Sequence, residues 1–253
     1  MLGNDPLVAA LEAQLRATDP LYELGWAEFA PGVFAGVSCA PVARMNGVWV
    51  LDQERADLDQ VRALFDRVIA EGYPYCLRLR GSPDRELSEL TVDLGLEQSE
   101  DCRFMTLADT GTVIPEIPSP LEIRELPAAG RAPHLRLTER TFGMPDGVMN
   151  FVLPPRVLAC EHARAYMGSV AGQDVCTALS FTVGDATWLY NVGTVEEFRG
   201  RGYGRAITAH AVAQAARDGA ATAFLETSED GFPVYRRLGF EHAEYWTVWE
   251  PAE

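Results

Sequence analysis

Arg199-Gly200-Arg201-Gly202-Tyr203-Gly204 is the stretch on which the reading of this chain turns. It lies between an apolar run, Trp188-Leu189-Tyr190-Asn191-Val192, and a helical pattern with Ile207, Ala211, Val212 and Ala215 on one face. Glycines at a strand-to-helix junction let backbone amides approach a ligand, because no Cβ stands in the way. The helix start adds unpaired N–H groups and roughly half a unit of positive charge. Together they form a site for a phosphate or pyrophosphate. A short Gly/Arg loop is also a common surface turn, so the neighbouring sequence has to decide.

Two phosphate motifs fail here. A Walker loop needs Lys-Ser or Lys-Thr after its last glycine, and Gly204 is followed by Arg205-Ala206. The dinucleotide fingerprint needs a third glycine where Arg205 stands. What remains, R-x-x-G-x-G, resembles the acyl-CoA pyrophosphate loop of the GNAT superfamily of N-acyltransferases. The flanks agree with it: Thr194–Arg199 before the loop, then a helix from about Gly204 to Asp218 with Gly219 as its stop. A strand over Ala223–Thr227 follows, then Ser228, Tyr235-Arg236-Arg237-Leu238-Gly239-Phe240 and a closing strand around Tyr245–Trp249. Upstream, Leu121–Leu126 alternates like a half-buried strand, and a helix is expected from about Ala129 to Thr141. Three strands over Arg164–Val170, Val175–Val183 and Ala186–Val195 are joined by glycine turns.

The resemblance implies an acetyl-CoA-dependent N-acetyltransferase in which an amine attacks the thioester directly in a ternary complex. It implies Arg199, Gly200, Arg201, Gly202, Tyr203, Gly204 and Arg205 as the pyrophosphate site. Backbone amides of Val192, Gly193 and Thr194 would face the thioester carbonyl and pantetheine, as donors where negative charge develops. Glutamate replaces the proline that the family often has just before the loop, which removes only a stiffener. Ser228 stands where many members carry an asparagine against the pantetheine arm. Tyr235 falls at the position of the acid that protonates the leaving thiolate; a phenol titrates near 10 and a thiol near 8.5. By burial habit alone, Tyr235 would be a core residue beside Leu238 and Phe240. Glu139, Glu196, Glu226 and His162 are all open as the base, and the sequence does not choose. Phe142–Pro145 and Val148–Phe151 would border the acceptor, and their apolar content hints at a greasy or aromatic acceptor. Packing on the sheet would explain that content equally well.

With 253 residues the chain exceeds one such domain. The proline-dense stretch 114–120 reads as a linker between residues 1–113 and a catalytic domain over 121–253. Helical faces appear over Pro6–Ala17 and Asp57–Glu71, and strand-like runs at Gly47–Leu51 and Tyr75–Arg80. Leu94-Gly95-Leu96-Glu97 echoes Leu238-Gly239-Phe240-Glu241. At the same offset Asp57-Leu58-Asp59 stands against the glycine loop and Thr91 against Tyr235. The expected fold is therefore α/β (α+β), with two GNAT-like domains, each a central mixed, mostly antiparallel sheet flanked by helices. The first would be a degenerate copy without loop or acid.

A formal charge of −16, from 21 Lys plus Arg against 37 Asp plus Glu, argues against nucleic acid as a partner. Five scattered cysteines without C-x-x-C spacing suit a reducing cytoplasm, and four histidines without ligand spacing indicate no metal. No signal peptide is read at Met1–Asp5, and no apolar run reaches the ~20 residues that span a bilayer. A soluble cytoplasmic monomer or homodimer is expected. A non-catalytic acyl-CoA sensor, a longer acyl-CoA donor and a hydroxyl acceptor remain as alternatives.

Overall fold

The glycine loop turns a strand into a helix, and the elements around it are those of a computed structural model that describes residues 5–21, 24–127 and 130–252. In chain order these are α1 (Pro6–Thr18), β1 (Trp26–Ala30), β2 (Val33–Val37), β3 (Asn46–Val50), α2 (Leu58–Ala70), β4 (Cys76–Arg80), α3 (Arg85–Asp93) and β5 (Leu96–Leu107). Then follow β6 (Glu122–Leu126), α4 (Arg131–Phe142), α5 (Met149–Val152), α6 (Pro155–Ala159), β7 (Ala163–Val170), β8 (Gln173–Val183) and β9 (Ala186–Thr194). The chain closes with α7 (Tyr203–Arg217), β10 (Thr222–Thr227), α8 (Phe232–Arg236) and β11 (Glu241–Pro251). The fold is mixed α/β, with sheets flanked by helices. Ala129, the expected start of the fourth helix, lies outside the described residues.

The chain divides into two compact units. The larger joins α1 to Phe104–Ala243, and the smaller runs to Arg103 and takes in the segment from Glu244. In the larger unit β6, β7, β8 and β9 form an antiparallel meander, and β9 then pairs with β10 in parallel. A parallel pair needs a crossover, and α7 supplies it. The buried face of α7, including Ile207, Ala211 and Val212 at 0% exposure, packs into a core with Leu189, Leu225, Tyr235 and Phe240. Full burial of each branched side chain contributes about 2 kcal/mol. A second cluster of the same unit gathers Leu135, Met149, Leu153, Leu179 and Phe181, with Ala17 of α1 packed against it. Pro6–Thr18 thus belongs by contact with β8 and β9, and Gln14 Oε1 accepts a 2.6 Å hydrogen bond from the Tyr190 hydroxyl.

The smaller unit, taken by itself, repeats the same scheme. β1, β2 and β3 are antiparallel, β3 and β4 are parallel, and α2 makes the crossover. Its next strand comes from the far end of the chain: Trp246–Trp249 of β11 pair antiparallel with Leu77–Arg80 of β4. The stretch that reads as a linker, 114–120, forms no helix or strand and falls within the larger unit.

β1, β2 and α3 add to the elements that the sequence pattern suggests. β2 is buried on nearly every residue, so it lacks the alternation that marks a half-exposed strand. α3 is short and held by its cap, the Asp84 carboxylate accepting from the Leu87 amide at 2.8 Å.

Candidate active site

β9 and β10 part company within the larger unit. Their parallel pairing runs from Ala186–Thr222 to Leu189–Leu225 and stops. Just beyond, Asn191 takes a left-handed conformation at φ 53°, and the register of β9 against β8 shifts between Thr177 and Leu179. The pairing with β10 ends before Val192, Gly193 and Thr194, while β8 still pairs with the last two, Thr177 opposite Gly193 and Cys176 opposite Thr194. Their other edge has no strand partner among the described residues. Asparagine tolerates this backbone better than most residues, and a lone Asn in an apolar run is the one signal in the sequence that points to the bulge. Gly193 is required by close approach: a Cβ there would sit 2.2 Å from Thr141 Oγ1 at the end of α4.

The loop leaves β9 through a single 3-10 turn, Glu196–Phe198. Arg199 braces it, its Nε donating to the Thr194 carbonyl at 3.1 Å and Nη2 to the Thr141 carbonyl at 3.4 Å. Gly200 and Gly202 lie at φ 75° and 80°, and a Cβ on either would meet nothing within 4 Å. The space over the loop is open, so glycine serves the backbone turn and a clear approach, not packing against protein. Gly202 is the N-cap of α7, and among the described residues no side chain caps that helix. Its first-turn amides, from Tyr203, Gly204 and Arg205, are therefore left without a side-chain acceptor, an arrangement that suits an anion. Arg201 donates to the Glu197 carbonyl at 3.2 Å with its guanidinium 4.9 Å over the Phe198 ring, and Arg205 pairs with Glu116 at 3.2 Å.

The smaller unit shows what happens when such a helix start is closed. The N-cap of α2 is Asp57, whose carboxylate accepts from the Gln60 amide at 3.0 Å. A fixed negative charge occupies the slot that an anion would take.

Tyr235 sits on α8, 7% exposed, its ring edge-on to Phe240 at 6.0 Å. Burial pushes its phenol pKa well above 10. The hydroxyl finds no hydrogen-bond partner among the described residues. Gly231 lets the ring in: a Cβ there would stand 2.7 Å from Thr227 Oγ1 and 3.0 Å from Tyr235 Cε2. Ser228 is exposed and opens the turn into α8, its Oγ accepting from the Gly231 amide at 3.2 Å. Its own proton stays available to an acceptor. Tyr203 and Tyr235 share one core cluster, and Val192 and Phe198 pack against it, so the end of β9, the loop and α8 meet around one body.

The four base candidates are dispersed. Glu139 is buried and accepts from the Met149 amide at 2.9 Å, Glu196 is exposed in the 3-10 turn, and Glu226 is exposed on β10. His162 Nδ1 lies 2.9 Å from the Thr182 carbonyl. Of the segment expected to border an acceptor, Phe142 and Phe151 are exposed while Val148 and Met149 are buried. Among the described residues no group of His, Cys, Asp or Glu could hold a metal ion, and no helix is long and apolar enough to cross a membrane.

A buried histidine on α4 carries no such role. His134 Nδ1 meets Thr177 Oγ1, which also reaches the Tyr166 carbonyl at 3.2 Å. Thr177 has one proton, and the carbonyl can only accept it. Both bonds therefore form only if Nδ1–H donates to Thr177 and Thr177 donates onward, leaving Nε2 a bare acceptor, the orphaned atom observed. Burial lowers the imidazole pKa to about 4 from 6.5. The unfolded chain then takes up the proton first, so stability is lost as pH falls from about 6.5 to about 4, by about 3 kcal/mol in all. Urea midpoints at pH 7 and 4.5 are expected to lie closer together in His134→Gln than in the parent; an equal gap contradicts the assignment.

Comparison with known proteins bears on this architecture. Residues 157–242 match the family model described as acetyltransferase (GNAT) domain. No curated protein matches the chain. Among solved structures, a GCN5-related N-acetyltransferase from Kribbella flavida superposes with a TM-score of 0.73 at 18% identity, covering 98% of this chain and 95% of that one. A GCN5-related N-acetyltransferase from Sphaerobacter thermophilus gives 0.63 at 16% identity, over 98% and 91%. A putative GNAT-family acetyltransferase from Novosphingobium aromaticivorans gives 0.60 at 15% identity, over 99% and 100%. At these identities the likeness concerns the fold, which is that of the GNAT acetyltransferases.

Proposed function

We propose that this protein is an N-acetyltransferase that moves the acetyl group of acetyl-CoA to a primary amine by direct attack in a ternary complex. One observation carries the reading: a strand that parts from its parallel neighbour and leads, through one 3-10 turn, into an uncapped, glycine-lined helix start. That geometry offers an extended edge for a pantetheine arm and a cationic end for its pyrophosphate. The amides of Val192, Gly193 and Thr194 supply donors along the edge, Gly200–Arg205 holds the pyrophosphate, and the Ser228 hydroxyl donates to the arm.

Tyr235 acts on the leaving sulfur. A phenol near 10 is a weaker acid than a thiol near 8.5, so outright transfer runs uphill by about 2 kcal/mol, and burial adds to that. Its first contribution is therefore a hydrogen bond to the sulfur as negative charge builds. The proton follows as the thiol leaves the site. The raised pKa keeps Tyr235 protonated throughout the neutral range, so the pH dependence of turnover comes from deprotonating the amine. Gly231→Ala, which presses on the Tyr235 ring, is expected to lower kcat about tenfold or more while leaving the Kd for CoA within twofold. An equal loss in both would place Tyr235 in cofactor binding instead.

The smaller unit is proposed to descend from the same plan without cofactor binding. Its β–β–β–α–β–α–β order repeats that of β7 to β11, with left-handed Gly95 and Gly239 at matching places after α3 and α8. Asp57 closes its helix start and Thr91, bonded to the Ser88 carbonyl, stands at the position of Tyr235. The setting proposed is cytoplasmic, in keeping with five free cysteines. Calorimetric titration tests the cofactor: CoA is expected to bind at one site per chain, and binding at two sites or none would overturn the assignment.

A further inference from the structure

Val192–Thr194, the donors of the proposed transfer, are the part of β9 that its sheet holds least. Among the described residues they have no strand partner on one edge. On the other edge the ladder is broken at the bulge, where Ala178 of β8 stands against both Asn191 and Val192. What steadies this segment comes from α4. His134, Thr138 and Thr141 lie at helical spacing on one stripe of that helix, and the first two are fully buried. At one end of the stripe, His134 Nδ1–H donates to the hydroxyl of Thr177, the residue of β8 that pairs with Gly193 at the edge of the bulge. At the other end, Thr141 packs so closely on Gly193 that no Cβ fits between them, and its carbonyl accepts from Arg199 at 3.4 Å. Thr177 passes its own proton to the Tyr166 carbonyl of β7 at 3.2 Å, so one hydroxyl ties α4, β7 and β8 together.

Packing does not explain this histidine. Its Nε2 is buried with no hydrogen-bond partner among the described residues, which costs stability. A leucine would fill similar space without that loss. Burial also lowers the imidazole pKa to about 4, so the ring is neutral through the neutral range and is not poised to take a proton from an amine. What it supplies is one N–H in a fixed place beside the bulge. We infer that His134 is a positioning residue for acetyl transfer: through Thr177 it fixes the bulge of β9, and with it the direction of the Val192–Thr194 donors toward the thioester carbonyl. The inference rests on the acetyl-CoA reading and gives a role in it to a fully buried side chain that acts only through another. The leverage is large, because donors displaced by about 1 Å from a reacting carbonyl lose up to about 100-fold in rate.

The test reads the thioester carbonyl directly, by infrared difference spectroscopy of acetyl-CoA labelled with carbon-13 at that atom and bound to the full chain. In the parent the band is expected below its position in free acetyl-CoA, because amide donors polarise the bond. His134→Leu is expected to lose about half of that shift or more while the Kd for CoA stays within about twofold. With any amine that the parent acetylates, its kcat is expected to fall about tenfold. Thr177→Val reaches the same bulge without touching the histidine and is expected to lose the shift likewise. His134→Asn sets an amide N–H where Nδ1–H stood and is expected to regain most of the shift, which a filled space alone would not do. A shift that persists in His134→Leu or in Thr177→Val overturns the positioning role and leaves the acetyltransferase reading in place. So does an Asn variant no better than Leu, a Leu variant that loses CoA affinity in step with the shift, or a parent that binds acetyl-CoA with no shift. If the parent does not bind acetyl-CoA at all, the role falls together with the reading beneath it.

Discussion

Replacing Tyr235 with phenylalanine is expected to lower kcat by about 100-fold while the Kd for CoA stays within twofold. The ring is what the core needs: it is buried and packs edge-on against Phe240. The hydroxyl bonds to nothing among the described residues, so its removal leaves no buried partner stranded and the melting temperature is expected to move by only about 1–2 °C. A tyrosine kept for structure would give the reverse pattern, with a stability loss and unchanged turnover. The deficit is expected at every pH, because a phenol whose pKa is raised by burial is protonated across the range in which the amine titrates. A variant that regained full activity at low pH, or that never lost it, would falsify the donor role.

Converting Gly202 to aspartate is expected to weaken CoA binding by at least about 100-fold while the protein still folds. The change sets at the start of α7 a carboxylate like the one Asp57 places at the start of α2, though on a left-handed backbone where the Asp57 cap is extended. An aspartate at the N-cap of α7 would set a negative charge where the pyrophosphate is to lie. The backbone allows the test, since aspartate is one of the few residues that accept left-handed φ at a cost of about 1–2 kcal/mol. A Cβ at that position meets no protein atom within 4 Å. Gly202→Ala separates the two effects, carrying the strain without the charge, and is expected to lose far less affinity. If aspartate and alanine were equally harmful, strain and not occupation of the anion site would be the cause.

Much of the larger unit is legible in the sequence alone. Gly200, Gly202 and Gly219 punctuate α7 at both ends, and hairpin glycines bound β7, β8 and β9. Such residues report backbone geometry directly, because few others adopt it. Tyr235 and Ser228 can be placed because they follow the loop at short, regular distances. What stays hidden depends on tertiary contact. The bulge at Asn191 is a relation between β8, β9 and β10, and a single strand cannot display where its neighbour departs. The sequence groups Arg199 with the other loop cations as a pyrophosphate ligand; its bonds to the carbonyls of Thr194 and Thr141 give it a bracing role that no local pattern reveals. Packing of Pro6–Thr18 on β8 and β9 is equally invisible, because an amphipathic face says that something covers it and not what.

The central claim is acetyl transfer, not merely the binding of a nucleotide. Thiol release from acetyl-CoA, followed with the wild-type protein across a panel of primary amines from aliphatic to aromatic, tests it most directly. The account predicts catalytic appearance of free CoA thiol with at least one amine, matched mole for mole by the acetylated amine and abolished in Tyr235→Phe. Saturable acetyl-CoA binding with no thiol released above background by any amine would contradict it and leave the chain a sensor of the nucleotide.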